Sequence, residues 1–527
     1  MTTMRSPPAR SGPGDDYDRM PYPSLPFAET QPARLAALAA LFGIDTADVA
    51  TARVLELGCA AGGNIIPLAL RFPAACFTGI DLSRRHISDG RHRIAALGLS
   101  NVKLLDADLE VVDLGAEQFD YIICNGVFSW VSEATRTQIL RLCQRALAPR
   151  GLATISYNVM PGWHLRMAVR DLCLHYAGTE GSPSLRVSKA RAALERLAAA
   201  AGVSDQPYHA LLRLEAQRLR AVPDAYIFGE FLAQENFPMS IGEFASRTDG
   251  FGLHYLCETD LRAAVPTDLG PGFGRRLLEF EPDRVATEQE IDFLTGRLFR
   301  RSVLVPRQVM ASAAPHAMSS RLRKLHVRSP LRLDQTRSSA AGTVFVDDRN
   351  RPVTATLPAL ARGLHVIAAA FPATVPVEQL LDPASDDMTR SRICQALLDI
   401  VVSGRASLSV VPLHAGRAAD ACPNAWPLAR IEAAAGQPWL TTLAHHAVPS
   451  NAALCAILPL LDGTRDRATL RARVSTGLLD GMFRTDPPLA AEVLADTPAR
   501  DRAAGALLDL LLGLLERDGL LQAAETV

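Results

Sequence analysis

Two carboxylates and a run of small residues could form a ligand site near the beginning of the chain. The stretch VLELGCAAGGNIIPLAL (54–70) predicts a strand that carries Glu56 near its end, then a glycine-rich turn and a helix. Small residues let a backbone approach a ligand closely, and the free N–H groups at a helix N-terminus favour polar or anionic partners. Asp81 ends a second apolar run, 23 residues after Gly58, where its carboxylate can accept hydrogen bonds from ribose hydroxyls.

The residues around this turn distinguish two classes of cofactor. The segment GCAAGG (58–63) is a degenerate match to a dinucleotide fingerprint, with Ala60 in place of the middle glycine, and is a weak signal alone. Glu56 would repel a pyrophosphate, whereas a carboxylate there suits the cationic methionine end of S-adenosylmethionine. After a third apolar run, Asp108 can accept from an adenine amino group while Leu109 packs on the ring.

Five short apolar runs, separated by helix-length amphipathic stretches, must position these residues. They are RVLEL (53–57), CFTGI (76–80), VKLL (102–105), FDYIIC (119–124) and LATISY (152–157), a pattern typical of βαβ units and a parallel sheet. The carboxyl ends of parallel strands line the ligand crevice. We therefore predict that the cofactor is held at these ends by the following residues: Glu56, Gly58, Cys59, Ala60, Gly62, Gly63, Asn64, Asp81, Leu82, Asp108, Leu109 and Asn125.

The motifs E-x-G-x-x-x-G-G, I-D-L-S, A-D and FDYIICNG resemble those of class I S-adenosylmethionine-dependent methyltransferases. The segments MPYPSLPFAET (20–30), GVFSWV (126–131) and YNVMPGWHLR (157–166), with the region 225–262, are similar to methyltransferases that carry a regulatory domain. That group includes bacterial protein-lysine methyltransferases. The resemblance covers nearly the whole chain and implies S-adenosyl-L-methionine as the cofactor.

The chain departs from that family around the expected acceptor site. Family members usually carry His at the positions of Gln31 and Asn125, Tyr at that of Phe128, and His-Glu at that of Gly229-Glu230. These changes leave methyl transfer in place as a hypothesis but weaken the transfer of lysine specificity.

The ends of the fourth and fifth strands supply candidates for handling a methyl acceptor. An amine that arrives neutral needs positioning and desolvation rather than a strong base. We predict catalytic contacts from Asn125, Tyr157 and Asn158, and substrate contacts from Phe128, Trp130 and Trp163. Turn capping by the asparagine and ordinary loop packing by the aromatic residues are the alternatives.

The sequence lacks the motifs that other classes of methyltransferase and metal sites require. DNA-adenine and glutamine-amide methyltransferases would place Asn/Asp-Pro-Pro-aromatic after the fourth strand, and NGVF does not match. A cytosine methyltransferase would need Pro-Cys there, whereas Cys124 follows Ile123 in an apolar run and is expected to be buried. The nine cysteines show no CxxC pair, which indicates reduced thiols and no metal site.

The length of 527 residues allows several domains. We predict an α/β fold class: a doubly wound Rossmann-like methyltransferase sheet, then a helical middle domain and winged-helix-like C-terminal modules. The predicted boundaries are 1–50 for an N-terminal segment and helix, 51–175 for the S-adenosylmethionine-binding methyltransferase domain, 176–330 for a helical regulatory or middle domain, 331–430 for a winged-helix-like module and 431–527 for a C-terminal winged-helix-like module.

Composition limits the partners. With 55 basic and 56 acidic residues the net charge is −1, which argues against bulk nucleic-acid binding. No run of 18 apolar residues occurs and the N-terminus lacks the apolar core of a signal peptide, so we expect a cytoplasmic protein without a membrane span. The helical stretch 165–310 permits a homodimer.

These observations favour a methyltransferase that modifies a nitrogen of a protein or peptide, with a lysine side chain as the favoured acceptor. The large C-terminal half would bind the macromolecular substrate. Two alternatives remain: a natural-product methyltransferase that acts on a small or peptide metabolite, and a non-catalytic scaffold that binds S-adenosylmethionine.

Overall fold

The computed structural model describes residues 18–264 and 283–523, which form two compact units. The first unit comprises residues up to Ser24 together with 50–259 and 263–311, and the second comprises 25–49, 260–262 and the residues from 312 onward. The predicted N-terminal segment, 1–50, is thus divided between the units, and its residues 1–17 lie outside the described residues.

The strands and helices are as follows. The strands are β1 (Arg53–Leu57), β2 (Cys76–Asp81), β3 (Val102–Asp106), β4 (Phe119–Cys124), β5 (Leu147–Asn158), β6 (Leu253–Glu258), β7 (Phe299–Pro306), β8 (His326–Arg328), β9 (Arg332–Leu333), β10 (Thr343–Val346), β11 (Pro352–Ala355), β12 (Val375–Pro376), β13 (Ser407–Ser409), β14 (Trp439–Thr441) and β15 (Ala447–Pro449). The helices are α1 (Pro32–Leu41), α2 (Ile65–Arg71), α3 (Arg84–Ala96), α4 (Glu133–Ala146), α5 (Gly162–Ala177), α6 (Pro183–Ala200), α7 (Pro207–Arg220), α8 (Asp224–Phe231), α9 (Ile241–Asp249), α10 (Arg284–Thr295), α11 (Arg307–Met310), α12 (Pro358–Ala370), α13 (Asp387–Val402), α14 (Pro427–Ala434), α15 (Ala452–Ile457), α16 (Arg467–Leu479), α17 (Ala491–Ala495) and α18 (Thr497–Arg517).

A seven-stranded sheet of order β3-β2-β1-β4-β5-β7-β6 organises the first unit. Strands β1 to β5 are parallel, and β7 runs antiparallel to both β5 and β6. The five predicted strands are confirmed, and so is the α/β fold class with its Rossmann-like sheet. Because the parallel strands end at one edge, the residues that follow them are brought together.

Apolar side chains on both faces of the sheet account for its burial. In β1 every residue after Arg53 is buried, as expected of a central parallel strand. Two of the helices that cover the sheet begin at capping side chains. Ser83 accepts a hydrogen bond from the His86 N–H at the start of α3, and Ser132 accepts one from the Thr135 N–H at the start of α4.

A helical layer follows the fifth strand, as the sequence pattern predicts for the chain beyond Pro161. Helices α5 to α8 enclose their own apolar cluster, with Val169, Leu194 and Phe231 among its fully buried members. The two strands within the middle region, β6 and β7, were not predicted. They return to the sheet and extend it beyond β5.

A buried arginine joins β6, β7 and α10. Arg300 Nη1 lies 3.2 Å from Glu258 Oε1 and 2.7 Å from Glu288 Oε2, and Arg300 Nε lies 2.7 Å from Asp292 Oδ2. Tyr255 donates a hydrogen bond to Glu288 Oε2 over 2.7 Å. A buried guanidinium that pairs with acids of β6 and α10 thus ties the added strands to that helix.

The second unit combines small sheets with helices. A three-stranded sheet of order β12-β8-β13 and another of order β11-β10-β9 accompany α12 and α13, and β14 pairs with β15. The sequence TVFVDDRNRPVTA (343–355) predicts a hairpin around DDRN, and β10 and β11 form it. Helix α1 belongs to this unit, and its residue Ala33 accepts a hydrogen bond from the Val410 N–H over 3.1 Å.

Within the described ranges, none of the helices is both long and apolar enough to cross a membrane. The same part of the chain contains no cluster of three or more His, Cys, Asp or Glu side chains placed to hold a metal ion. The cysteines have free thiols, and Cys124 is fully buried as predicted.

Candidate cofactor and acceptor site

The glycine-rich turn after β1 requires glycine for steric reasons. Gly58 has a φ of +77°, and a Cβ there would lie 2.2 Å from Val127 Cγ2. The Gly58 and Cys59 N–H groups both donate to the Ile80 carbonyl, over 2.8 and 3.0 Å, which fixes the turn against β2. Gly62 also has a positive φ, +71°. Glycine at these two positions therefore permits the left-handed backbone and the close packing of the turn against neighbouring side chains.

Glu56 is buried beside this turn with one oxygen satisfied by the protein. Asn64, immediately before α2, donates from Nδ2 to Glu56 Oε1 over 2.8 Å. Glu56 Oε2 is buried and has no hydrogen-bond partner. Burial, with a smaller contribution from nearby Asp81, raises the pKa of Glu56 to about 8 despite the Asn64 hydrogen bond. A cationic ligand group at Oε2 would relieve this burial cost.

Asp81 ends β2 and holds two loops at once. Its Oδ2 accepts from the Ala60 N–H over 2.8 Å, and its Oδ1 accepts from the Ser83 N–H over 2.9 Å. Burial raises the pKa of Asp81, although these backbone hydrogen bonds and His86 oppose the shift. An ionised carboxylate can accept about four hydrogen bonds, so each oxygen retains capacity for a ligand hydroxyl.

The structure places the remaining predicted cofactor residues around the next strand ends. Leu82, directly after β2, exposes 39% of its surface. Asp108 lies in the turn after β3, where its Oδ1 accepts from the Glu110 N–H over 2.9 Å. Leu109 is buried in the apolar cluster of the sheet. Asp108 and Leu82 are thus accessible at the strand ends, whereas Leu109 is part of the buried core.

The segment Asp18–Ser24 lies on the glycine-rich turn, a contact that was not predicted. Ser24 Oγ accepts from the Gly63 N–H over 2.9 Å, and a Cβ at Gly63 would lie 2.2 Å from the Ser24 carbonyl oxygen. Asp18 Oδ1 accepts from Ser83 Oγ over 2.5 Å. The PYPS motif within MPYPSLPFAET is the sequence signal that could have identified this contact.

Asn125 follows β4 and is held by a residue that was not among the predicted site residues. Its Oδ1 accepts a hydrogen bond from Arg301 Nε over 2.8 Å. The next residue, Gly126, has a φ of +74° and donates its N–H to Ser156 Oγ over 2.7 Å. Arg301 belongs to β7, so sequence spacing gave no sign of this contact.

The predicted acceptor residues form a packed group behind the strand ends. Phe128, Tyr157 and Trp163 have at most 1% of their surface exposed, and Asn158 is also buried. The Tyr157 ring stacks on Phe244 with 4.0 Å between centroids, and Asn158 Nδ2 donates to Asn236 Oδ1 over 2.9 Å.

Trp130 is the partly exposed member of this group. Its ring meets the edge of Trp163 at 5.7 Å between centroids. The structure therefore brings the predicted acceptor residues to one region, but it places most of their side chains in the core. Burial raises the pKa of Tyr157 well above its usual value, so its hydroxyl is a neutral donor in this setting.

Three family models match separate parts of the chain. A methyltransferase domain matches residues 54–151, a methyltransferase regulatory domain matches 223–306, and a PKMT C-terminal winged helix domain matches 422–520. Strands β6 and β7 lie within the regulatory match. The winged-helix fold at the C-terminal end is thereby confirmed.

Two curated relatives are proteins of Rickettsia prowazekii. RP789 is 37% identical over 288 residues, which cover 55% of this chain and 52% of RP789. RP028 is 32% identical over 220 residues, which cover 42% of this chain and 88% of RP028. The match thus spans about half the length of the first relative and most of the second.

Among solved structures, PKMT2 from Rickettsia typhi has a TM-score of 0.82 at 24% identity, with 95% of this chain and 100% of that chain covered. The same protein in complex with AdoHcy has a TM-score of 0.81. At 24% identity, this structural similarity shows a shared fold and no more. Together with the family models and the coverage of RP028, it shows that the chain belongs to the S-adenosylmethionine-dependent methyltransferases that carry a methyltransferase regulatory domain.

Proposed function

We propose that the protein transfers a methyl group from S-adenosylmethionine to a nitrogen of a protein or peptide, with a lysine side chain as the favoured acceptor. The main observation in favour of S-adenosylmethionine binding is the oxygen of buried Glu56 that has no hydrogen-bond partner beside the glycine-rich turn. The match to a winged helix domain of PKMT proteins and the fold shared with PKMT2 support a protein substrate.

The residues at the strand ends fit the groups of this cofactor. Glu56 Oε2 would accept from the ammonium of the methionine end, which supplies the counter-charge that the chain does not. Asp81 would accept from the ribose hydroxyls with its remaining lone pairs, and Asp108 would accept from the adenine amino group. When bound, the cofactor supplies a methyl group on a positively charged sulfur.

The acceptor must present a lone pair in line with the methyl–sulfur bond. A neutral acceptor nitrogen would form a bond to the methyl carbon as the carbon–sulfur bond breaks, and the electron pair of the broken bond would stay on sulfur. The acceptor nitrogen then loses a proton to solvent. Trp130 is the predicted side chain that reaches the surface at the rim formed by the ends of β4 and β5, where its ring face would favour the cationic methylsulfonium or the methylated ammonium product. The buried rings of Phe128 and Tyr157 would hold the rim in place behind it.

The test is incubation of the protein with methyl-labelled S-adenosylmethionine and a bacterial lysate, followed by separation of proteins from small molecules. We expect labelled protein bands, and acid hydrolysis should release methylated lysine. Labelled small molecules with no labelled protein would contradict the proposal and favour a natural-product methyltransferase. The Asp81→Ala variant is the control for cofactor-dependent labelling.

A second candidate function is a non-catalytic scaffold that binds S-adenosylmethionine. The burial of Phe128, Tyr157, Asn158 and Trp163 favours it, because an acceptor cannot contact these side chains without movement of the rim. Tight cofactor binding without turnover on any acceptor would support the scaffold. Measurable turnover would exclude it.

A further inference from the structure

Two contacts hold the turn after β4 from one side. The Gly126 N–H donates to Ser156 Oγ over 2.7 Å, and Arg301 Nε donates to Asn125 Oδ1 over 2.8 Å. Ser156 and Arg301 are direct register partners on β5 and β7. One cross-strand pair therefore fixes both the backbone and the side chain of the turn.

The backbone of Arg301 is fixed independently of its side chain. Its N–H donates to Glu258 Oε2 over 2.8 Å, and its carbonyl accepts from the Thr259 N–H over 2.9 Å. The neighbouring Arg300 carries the buried ion pairs of this region. Removal of the Arg301 side chain should therefore leave the strand in place while it releases Asn125.

The contact also determines which way the Asn125 amide faces. A side-chain amide has a carbonyl acceptor at one end and an NH₂ donor at the other. Because a guanidinium is always a donor, Arg301 takes the carbonyl oxygen and directs the NH₂ group away from β7. Asn125 is partly exposed, so this donor is available to a ligand at the strand ends.

We propose that Arg301 is a positioning residue for the cofactor site, which acts by orienting Asn125 so that its NH₂ group donates to an acceptor oxygen of the bound cofactor. This inference rests on the proposed function, since it assigns Asn125 to the same cofactor. It gives the regulatory region 223–306 a direct role, because one of its strands completes the methyltransferase site.

The test compares S-adenosylhomocysteine affinity, measured by calorimetry, among Arg301→Ala, Asn125→Ala and the double variant. We expect each single variant to bind about tenfold more weakly, the loss of roughly one hydrogen bond to a charged or oriented group. The double variant should be no weaker than Asn125→Ala, because Arg301 acts through Asn125. Multiplicative losses, or unchanged affinity in either single variant, would overturn the proposal.

Two further variants separate positioning from a structural role. Asn125→Asp keeps an acceptor for Arg301 but lacks the NH₂ donor, so we expect weak binding without a lower melting temperature. Arg53→Ala is the matched control, because Arg53 pairs with Asp120 at the amino ends of β1 and β4 in the same sheet, with Nη2 3.1 Å from Oδ1. Its affinity should equal that of the wild type, and a loss matching that of Arg301→Ala would overturn the proposal.

Failure of the proposed function would look different. A wild-type protein that binds S-adenosylhomocysteine but methylates no acceptor would contradict the proposed function. The affinities of the Arg301 and Asn125 variants would still test the positioning role of Arg301. If the wild type turns over, Arg301→Ala should raise the KM for S-adenosylmethionine and leave kcat at saturation near the wild-type value. A lowered kcat with unchanged KM would overturn the positioning role.

Discussion

Buried carboxylates occur in two regions of the first unit, and the chain treats them in opposite ways. Around Arg300, three acids meet a guanidinium that lies within 3.2 Å of each, and a tyrosine hydroxyl adds a further hydrogen bond. Beside the glycine-rich turn, Glu56 meets a neutral amide at one oxygen and no partner at the other. The acids around Arg300 receive their counter-charge from the protein and hold β6 and β7 in place. Glu56 receives none from the protein, so its second oxygen is available to a ligand.

The comparison predicts opposite sensitivities. Loss of the arginine in the first region should strongly destabilise the protein, because several buried acids then lose their cation. Loss of the acid in the second region should spare the fold and affect ligand binding. Four variants test this division, in order of decreasing effect.

Arg300→Met should destabilise the protein by about 3–5 kcal/mol, the cost of breaking a buried ion pair by removing one partner. Urea unfolding of the cofactor-free protein measures this free energy. Arg53→Met is the control, since the exposed pair of Arg53 and Asp120 should contribute at most ~1 kcal/mol. Equal losses in the two variants would show that the buried network is no more important than a surface pair.

Asp81→Ala should weaken S-adenosylmethionine binding by about 2–4 kcal/mol, because charge-assisted hydrogen bonds contribute roughly 1.5–3 kcal/mol each and do not add fully. Calorimetry measures the affinity. Asp106→Ala is the matched control, since Asp106 is the register partner of Asp81 on β3 and is bound to Arg84 at 3.3 Å. Equal affinity in Asp81→Ala and the wild type would refute the placement of the ribose.

Glu56→Gln should weaken cofactor binding by a smaller amount, about 1–2 kcal/mol, through the lost attraction to an ammonium. With a pKa of about 8, Glu56 is largely protonated at pH 7 in the cofactor-free protein, so binding of a cation should release up to one proton. Calorimetric titrations in buffers of different ionisation enthalpy measure the number of protons released on binding. Wild-type affinity should rise from pH 6 to 8, and a Gln variant with the same rise would contradict the assignment.

The same shift has a consequence for stability. The folded-state pKa of Glu56 lies above its ordinary value of 4.5, so the stability from the protonated form is complete below about pH 4.5 and lost as pH rises through about 8. The Glu56→Gln side chain does not ionise, so the cofactor-free variant does not lose this stability as the pH rises. Thermal melts should show it more stable than the wild type at pH 9 and no more stable at pH 5.

Ser24→Ala should produce the smallest effect, a loss of about 0.5–1.5 kcal/mol in S-adenosylmethionine affinity, because a single neutral hydrogen bond to the Gly63 N–H is removed. The same calorimetric titration measures it. A loss as large as that of Asp81→Ala would mean that the segment Asp18–Ser24 contacts the cofactor itself.

Local patterns in the sequence were enough to predict the first five strands and the turn. The runs 53–57 and 119–124 coincide with β1 and β4, because a central parallel strand is buried on both faces and is therefore mostly apolar. The hairpin of β10 and β11 was predicted for a similar local reason. The roles assigned to the site residues remain predictions, since they depend on a bound ligand.

Contacts between distant segments could not be predicted. Strand β7 carries three arginine or serine residues among its apolar ones, and its pairing with β5 depends on the whole helical layer between them. Chain position predicted that Phe128 and Tyr157 lie near the strand ends, but not that their rings turn into the core against Phe244. Burial depends on packing partners, and Phe244 arrives more than 80 residues later in the sequence.

The late position of β7 has a consequence for biosynthesis. Arg301 follows Asn125 by 176 residues, an interval that a ribosome translating about 5–20 residues per second covers in roughly 9–35 s. From the synthesis of β5 until that of β7, β5 is an unpaired sheet edge, and such edges can pair with other chains. The glycine-rich turn is therefore synthesised early, whereas the contact between Arg301 and Asn125 can form only late. A truncated product that ends before β7 would expose β5 as an aggregation-prone strand.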